Sequence, residues 1–358
     1  MLQIGIVGLP NVGKSSLFNA LVKNAVAEAS NYPFTTIEPN VGIVEVPDNR
    51  LTELAKVENS QKIIPASIKF VDIAGLVAGA SKGEGLGNKF LAHIKEVDAI
   101  AMVVRCFEDG NIIHVAGKVS PIDDIRVITL ELILSDLEQV TKAIDRNEKE
   151  ARSGKKEAQE RVALLERMKG ILEEEKYLHG NIELDEKEQE LLKETQLITM
   201  KPMFYIANVS EDQLSMTPTQ LGVPEGSVKI CVALEKELAQ MSEEDRTEYL
   251  TAIGASEQMT PLQQVIARGY TILDLISYLT VGPQEARAWT IKRGTLAPQA
   301  AGVIHTDFEK KFIAAEVVSY DKFIEAGGFP KAREKGWARM EGKPYVFQDG
   351  DVVLFKHG

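Results

Sequence analysis

The first hydrophobic run, "QIGIVG" (residues 3–8), is short, apolar and closed by a glycine, and "SSLFNALVKN" (15–24) then begins a helix. "VGIVEV" (41–46) and "ASIKFVDIAG" (66–75) predict further strands. "AIAMVVRCF" (99–107) is a continuous apolar run of the kind that a parallel sheet buries on both faces. Strand and helix patterns alternate with glycine-rich turns, so the expected fold class is α/β with an open sheet.

Near residue 128 the period changes. "VITLELILSDLEQVTKAI" carries Ile133, Leu137, Val140 and Ile144 as a helical stripe with a polar back, and "RVALLERMKGILEEE" (161–175) resumes it through Leu164, Leu165, Met168, Ile171 and Leu172. Gly154, in the charged stretch between them, marks a turn, which predicts an antiparallel helical hairpin. The strand pattern returns at "PMFYIAN" after Lys201, so the hairpin is an insertion inside the α/β domain. After residue 276 short strand candidates, "ARAWTI" (286–291), "AAEVVSY" (314–320) and "DGDVVLF" (349–355), predict a small α+β domain. The expected division is 1–127 and 199–275 for the α/β domain, 128–198 for the hairpin and 276–358 for the C-terminal domain.

At 358 residues the chain is long enough for two or three domains. The net charge of −12 argues against a surface given over to nucleic acid, but it is unevenly spread: Tyr278 to Gly358 carries 12 Lys and Arg against 10 Asp and Glu. If one segment touches RNA, charge favours the C-terminal one. No apolar run reaches membrane-spanning length and the N-terminus lacks a signal-peptide pattern, so a cytoplasmic protein is expected. Cys106 and Cys231 both sit in apolar strand-like context, which predicts buried thiols rather than a disulfide.

"GLPNVGKSS" (8–16) fits G-x-x-x-x-G-K-[ST] between a strand and a helix. Glycines let backbone N–H groups wrap phosphates at a helix N-terminus; Lys14 would reach the β/γ-phosphates and Ser15 would ligate Mg²⁺. "FVDIAG" (70–75) follows in the order a nucleotide switch needs, with Asp72 holding Mg²⁺ through water and the Gly75 amide sensing the γ-phosphate. In "NYPFTTIEPNVG" (31–42), Thr36 is the preferred switch threonine for the Mg²⁺ shell. A small-molecule kinase is disfavoured, because no arginine-rich acceptor lid is evident.

The loop after the strand at 203–208 reads Asn208-Val209-Ser210-Glu211 where a guanine-reading loop has Asn-Lys-x-Asp. An Asp there accepts hydrogen bonds from guanine N1–H and the 2-amino group, both of which adenine lacks. Glu211 is one methylene longer and Val209 cannot cover the base, whereas Asn208 can still present an amide to adenine. ATP is therefore the expected nucleotide, with GTP weaker. Leu76 stands where Ras-like enzymes carry the water-orienting Gln, so basal hydrolysis should be slow. His114, beyond the strand 99–107, is a candidate to position or activate water. Asn11 is a candidate ligand for K⁺, a role that equal turnover in K⁺ and Na⁺ buffers would exclude.

These segments, with "DIAGLVAGASKGEGLGNKFL", "NIIHVAGKV", "IANVSED" and "RAWTIKRGTLAPQAAGVIHTDFEKKFIAAEV", resemble the YchF/Obg-like ATPase family over essentially the whole chain. The resemblance implies a Ras-like P-loop NTPase domain, a coiled-coil hairpin insertion and a C-terminal TGS domain of ubiquitin-like β-grasp type. It also implies Mg²⁺-dependent ATP hydrolysis and association with the ribosome, through the large subunit or RNA, by a monomer. Carried over by position, Asn11, Val12, Gly13, Lys14, Ser15 and Ser16 contact phosphates, Ser15 and Thr36 meet Mg²⁺, and Asn208 with Val209 contacts the base. The hydrophobic replacement of Gln matches Leu76 and makes His114 the leading catalytic candidate beside Lys14. Cys231-Val232 departs from the Ser-Ala pair that supports guanine O6 in Ras-like proteins. Two rivals remain: an Obg-type GTPase differing only in the base, and a binding module in which ATP occupancy sets conformation and hydrolysis is incidental.

Overall fold

The computed structural model describes residues 1–28, 40–73, 85–110, 114, 117–193, 195–238, 240–241 and 259–358. Its first sheet is built from β1 (Gln3–Val7), β2 (Val41–Glu45), β4 (Ser67–Asp72), β5 (Ala99–Arg105), β6 (Met203–Asn208) and β7 (Val228–Ile230), in the order β2-β4-β1-β5-β6-β7. β1 runs parallel to β4 and β5, β5 to β6, and β6 to β7. Every residue of β5 is buried, as its uninterrupted apolar run requires. Parallel strands send their carboxyl ends to one edge, where α/β sheets place their sites. Val7, Asp72, Arg105 and Asn208 all end strands there.

α1 (Lys14–Glu28) leaves β1, α2 (Arg50–Glu58) and α3 (Gly85–Glu96) follow, and α4 (Pro121–Arg152) with α5 (Lys156–Glu173) forms the inserted hairpin. The hairpin turns at Gly154, whose φ of +88° suits glycine. Ile133, Val140 and Ile144 of α4 pack with Leu164, Leu165, Met168 and Leu172 of α5, the stripe that the sequence period marks out. α4 begins at Pro121, seven residues before the apolar period becomes visible. The signals there are local: proline at the first helical position and the acidic pair Asp123 and Asp124 in the first turn.

The return from the hairpin is pinned by a buried carboxylate on α4. Asp136 accepts from the backbone N–H of Ile198 at 3.1 Å and from both the N–H and hydroxyl of Thr199 at 2.7 Å. It thereby caps the short 3₁₀ turn Ile198–Met200 that leads to β6.

The second sheet has the order β11-β10-β12-β8-β9-β3, from β3 (Lys62–Ile64), β8 (Leu275–Val281), β9 (Glu285–Lys292), β10 (Phe312–Ser319), β11 (Arg339–Glu341) and β12 (Asp351–His357). β8 and β9 form a hairpin, the helix Ala297–Ile304 crosses one face, and β12 lies parallel to β8, which is a β-grasp arrangement. Tyr278 centres its core, 5.0 Å from the Phe347 ring and edge-on to Phe355 at 5.8 Å, with its hydroxyl donating to the Ala300 carbonyl.

The chain groups into two units, Met1–Gly42 with Lys69–Leu262 and Ile43–Ile68 with Gln263–Gly358. The sequence division put residues 43–68 with the first part of the α/β domain. They group instead with the C-terminal unit because β3 adds in parallel to β9 and Ser60 donates to the Gly282 carbonyl, pairings that sequence texture does not show. Replacing Asp136 with Ala should cost about 3 kcal/mol of stability by orphaning buried N–H groups. Amide hydrogen exchange checks this: Ile198 and Thr199 should exchange faster in the variant, and unchanged protection would mean that they find other partners.

Candidate active site

The loop from Gly8 to Ser15 carries β1 into α1, and its backbone demands particular residues. Gly13 has φ +99° and Asn11 φ 62°, both left-handed; glycine adopts this region freely and asparagine more readily than most residues. Space is equally restrictive. A Cβ at Gly8 would lie 2.5 Å from the Val103 carbonyl oxygen, and one at Gly13 would collide with Asn208 Nδ2. Both glycines are therefore needed for the loop to lie against the ends of β5 and β6.

Lys14 is buried and its Nζ donates to the Leu9 carbonyl at 2.7 Å. Burial pushes its ammonium below the ordinary lysine value, and the charge of Asp72 offsets part of that. Asp72 Oδ1 is itself buried with no hydrogen-bond partner among the described residues. An orphaned carboxylate oxygen is costly unless something supplies a positive charge or a donor. With the Ser15 hydroxyl exposed at the start of α1, these groups fit Mg²⁺, which prefers hard oxygens and keeps several waters. Among the described residues no cluster of three or more His, Cys, Asp or Glu could hold an ion alone. Thr36, Gly75 and Leu76 lie outside the described residues.

Asn208 ends β6 and is buried. Its Nδ2 donates to the Val12 carbonyl at 2.9 Å, its Oδ1 accepts from Val232 N–H at 3.2 Å, and its carbonyl accepts from Cys106 N–H at 2.8 Å. The side chain expected to face the base thus commits half of its amide capacity to tying the loop to the sheet. Val209 is 2 % exposed, and Glu211 opens a 3₁₀ turn fixed by the Ser210–Gln213 capping box.

Beside these residues lies a cleft of about 690 Å³ that brings together Asn11, Gly13, Ser16, Asn208, Val209 and Glu211. Val12 and Lys14 are buried within the loop itself. Phe107, Glu108, Asp109 and Lys236 also line the cleft and were not among the sequence candidates. The available signal for the first three was their position just past the carboxyl end of a buried strand.

His114 is set back from that cleft and is only 7 % exposed. Its Nε2 lies 2.9 Å from Oδ2 of Asp124, a buried residue in the first turn of α4. Burial pushes the Asp124 carboxyl above its ordinary value, while the hydrogen bond and charge of His114 pull it down. Arg105, the last residue of β5, is 1 % exposed; its Nε donates to the Phe107 carbonyl at 3.0 Å and its guanidinium lies 4.6 Å from the centre of the Phe107 ring. Its charge also favours ionised Asp124. Neither Arg105 nor Asp124 had a sequence signal, since each looks like an ordinary charge beside an apolar run.

The loop geometry makes a specific demand at position 13. Gly13→Ala should weaken ATP and GTP binding about tenfold or more, each by at least about 1.4 kcal/mol, because both strain and collision act on the loop rather than on the base. Titration with both nucleotides checks this; loss of only one would show that position 13 reads the base.

A family model described as "50S ribosome-binding GTPase" matches residues 3–208, and one for the YchF GTPase C-terminal region, described as a protein of unknown function, matches 275–358. The chain is 51 % identical to a "Ribosome-binding ATPase YchF" of Haemophilus ducreyi, over 99 % of this chain and 98 % of that protein. It is 49 % identical to the protein of that name in Bacillus subtilis, over 99 % of both chains. Among solved structures, that of the Schizosaccharomyces pombe YchF GTPase superposes with a TM-score of 0.86 at 36 % identity, covering 99 % of this chain and 97 % of that one. With its P-loop, its inserted hairpin and full-length likeness at this level, the chain belongs to the YchF family of P-loop nucleoside triphosphatases.

Proposed function

We propose that this protein is a ribosome-associated, Mg²⁺-dependent ATPase that turns over slowly and binds GTP more weakly. The observation that carries the base preference is the loop after β6. Val209 is buried, so no side chain there can extend over a base as lysine would, and Glu211 replaces the shorter acid that matches guanine N1–H and N2. The relatives named ATPases support this reading. The fission-yeast structure is described as a GTPase, so an enzyme differing only in its base is the second reading.

In the proposed reaction, the backbone of Asn11–Ser16 wraps the phosphates and Lys14 leaves the Leu9 carbonyl to meet the β/γ-phosphates. Ser15, Thr36 and Asp72 would hold Mg²⁺, whose charge neutralises that developing on the phosphate oxygens. Gly75 would sense the γ-phosphate, and His114 would orient the attacking water. With a leucine at 76, no glutamine follows Gly75 to share that task.

The relatives' names support ribosome binding, and the family description favours the large subunit. The hairpin and the C-terminal β-grasp unit, read as a TGS domain, are the surfaces proposed for ribosomal RNA or protein. A cytoplasmic monomer suits this role, and among the described residues no helix is long and apolar enough to cross a membrane.

Equilibrium binding of ATP and GTP analogues at equal Mg²⁺ tests the base assignment. ATP should bind about tenfold more tightly, roughly 1.4 kcal/mol, and tighter GTP binding would transfer the assignment to the GTPase reading. Cosedimentation with isolated ribosomal subunits tests the partner. The large subunit should carry the protein down in an ATP-dependent manner, and Lys14→Ala should lose that dependence; association indifferent to nucleotide in the native protein would leave ATP no controlling role.

A further inference from the structure

Two buried polar side chains, His114 and Asp124, meet near the start of α4. His114 Nε2 and Asp124 Oδ2 are 2.9 Å apart, and the side chains are 4 % and 6 % exposed. Arg105 is buried too, and its charge acts on Asp124. Ionisable groups this far from solvent are retained only when they are paired, and an unpaired member would be costly. Apolar residues would fill the same space more cheaply. The arrangement is therefore better explained by what it does to the imidazole than by stability.

The backbone holds Asp124 firmly. Its N–H donates to the Ser120 carbonyl at 3.0 Å, and it lies in the first turn of α4, where the helix dipole favours a negative charge. Of the two neutral tautomers, a carboxylate at Nε2 favours the one with its proton on that nitrogen, which makes Nδ1 the acceptor nitrogen of the ring. This is the orienting logic of an acid–histidine pair, in which the acid selects the tautomer and the ring direction without reacting itself. Among the described residues, the charged and titratable groups about Asp124 are His114, Arg105, Cys106 and the neighbouring Asp123, whose carboxylate is engaged by the Ser120 hydroxyl.

We infer that Asp124 is the positioning residue for His114, so that the first turn of the hairpin helix sets the tautomer and direction of the imidazole used in hydrolysis. The inference rests on the hydrolytic role proposed above for His114. It adds a dependence that the Ras-like sheet does not contain. α4 runs unbroken from Asp124 through Asp136 to the hairpin cluster at Ile133, Val140 and Ile144, so the imidazole is oriented from the inserted element.

The test compares Asp124→Asn, Asp124→Ala and His114→Gln with the native protein in single-turnover and steady-state ATP hydrolysis. It is joined to ¹⁵N spectra of the imidazoles; with five histidines in the chain, His114→Gln assigns the signal. The expected result is a fall in kcat of about 10- to 100-fold for both Asp124 variants, with KM for ATP nearly unchanged. The His114 signal should report a proton on Nε2 in the native protein and lose that preference in Asp124→Asn, the near-isosteric variant that guards against misfolding. A His114→Gln variant as active as the native protein would overturn the hydrolytic role and this inference together. If His114→Gln is impaired but Asp124→Asn turns over normally, only the positioning role fails. A rise in kcat in the Asp124 variants would overturn it too, making the contact a restraint on the imidazole.

Discussion

The carboxamide of Asn208 joins segments that arrive from distant parts of the chain. One end donates to Val12 in the phosphate loop, the other accepts from Val232 just after β7, and the backbone of the same residue pairs with Cys106 after β5. Two lone pairs and two hydrogens on a flat group make this possible; a carboxylate has no donor for Val12 and an aliphatic side chain has neither function. The requirement for glycine at position 13 follows, since the amide occupies the volume that a Cβ would need. The loop after β6 and the phosphate loop are thus one hydrogen-bonded structure. The chemistry at either end depends on that tie.

Burial of charge is the second constraint. Asp72 reaches its strand end with an oxygen unpartnered among the described residues, close enough to Lys14 for its charge to matter. Asp124 and Asp136 are both buried on α4, and both are matched, one to an imidazole and the other to backbone donors. The contrast is informative. A matched carboxylate holds structure in place, whereas an orphaned carboxylate oxygen such as that of Asp72 is costly unless a positive charge or a donor meets it. The hairpin helix is anchored to the α/β unit by polar contacts at two levels, and its apolar stripe is satisfied by α5.

Much of this was legible in the residues themselves. The P-loop, the strand–glycine–helix order and the period of the hairpin are local: they need only the backbone freedom of Gly8 and Gly13 and the 3.6-residue repeat of Ile133, Val140 and Ile144. The departure of Asn208-Val209-Ser210-Glu211 from Asn-Lys-x-Asp is likewise a matter of residue identity. Such features survive in one dimension because their partners lie within a turn or two, or because a fixed spacing has a fixed consequence.

Other features were decided only when the chain folded. β3 has three residues and no periodicity to display, and its place beside β9 depends on a partner more than two hundred residues away. The same holds for Asp124, which in the sequence is one of two adjacent acids at a helix start and in the structure is the partner of His114. Arg105 ends a hydrophobic strand and gives no hint that it will be buried against Phe107. Residue types at set spacings were enough to mark a phosphate loop between a strand and a helix, because that signal is local. Which buried side chains meet one another emerged only with the fold, because hydrogen bonds across long chain separations leave no local pattern.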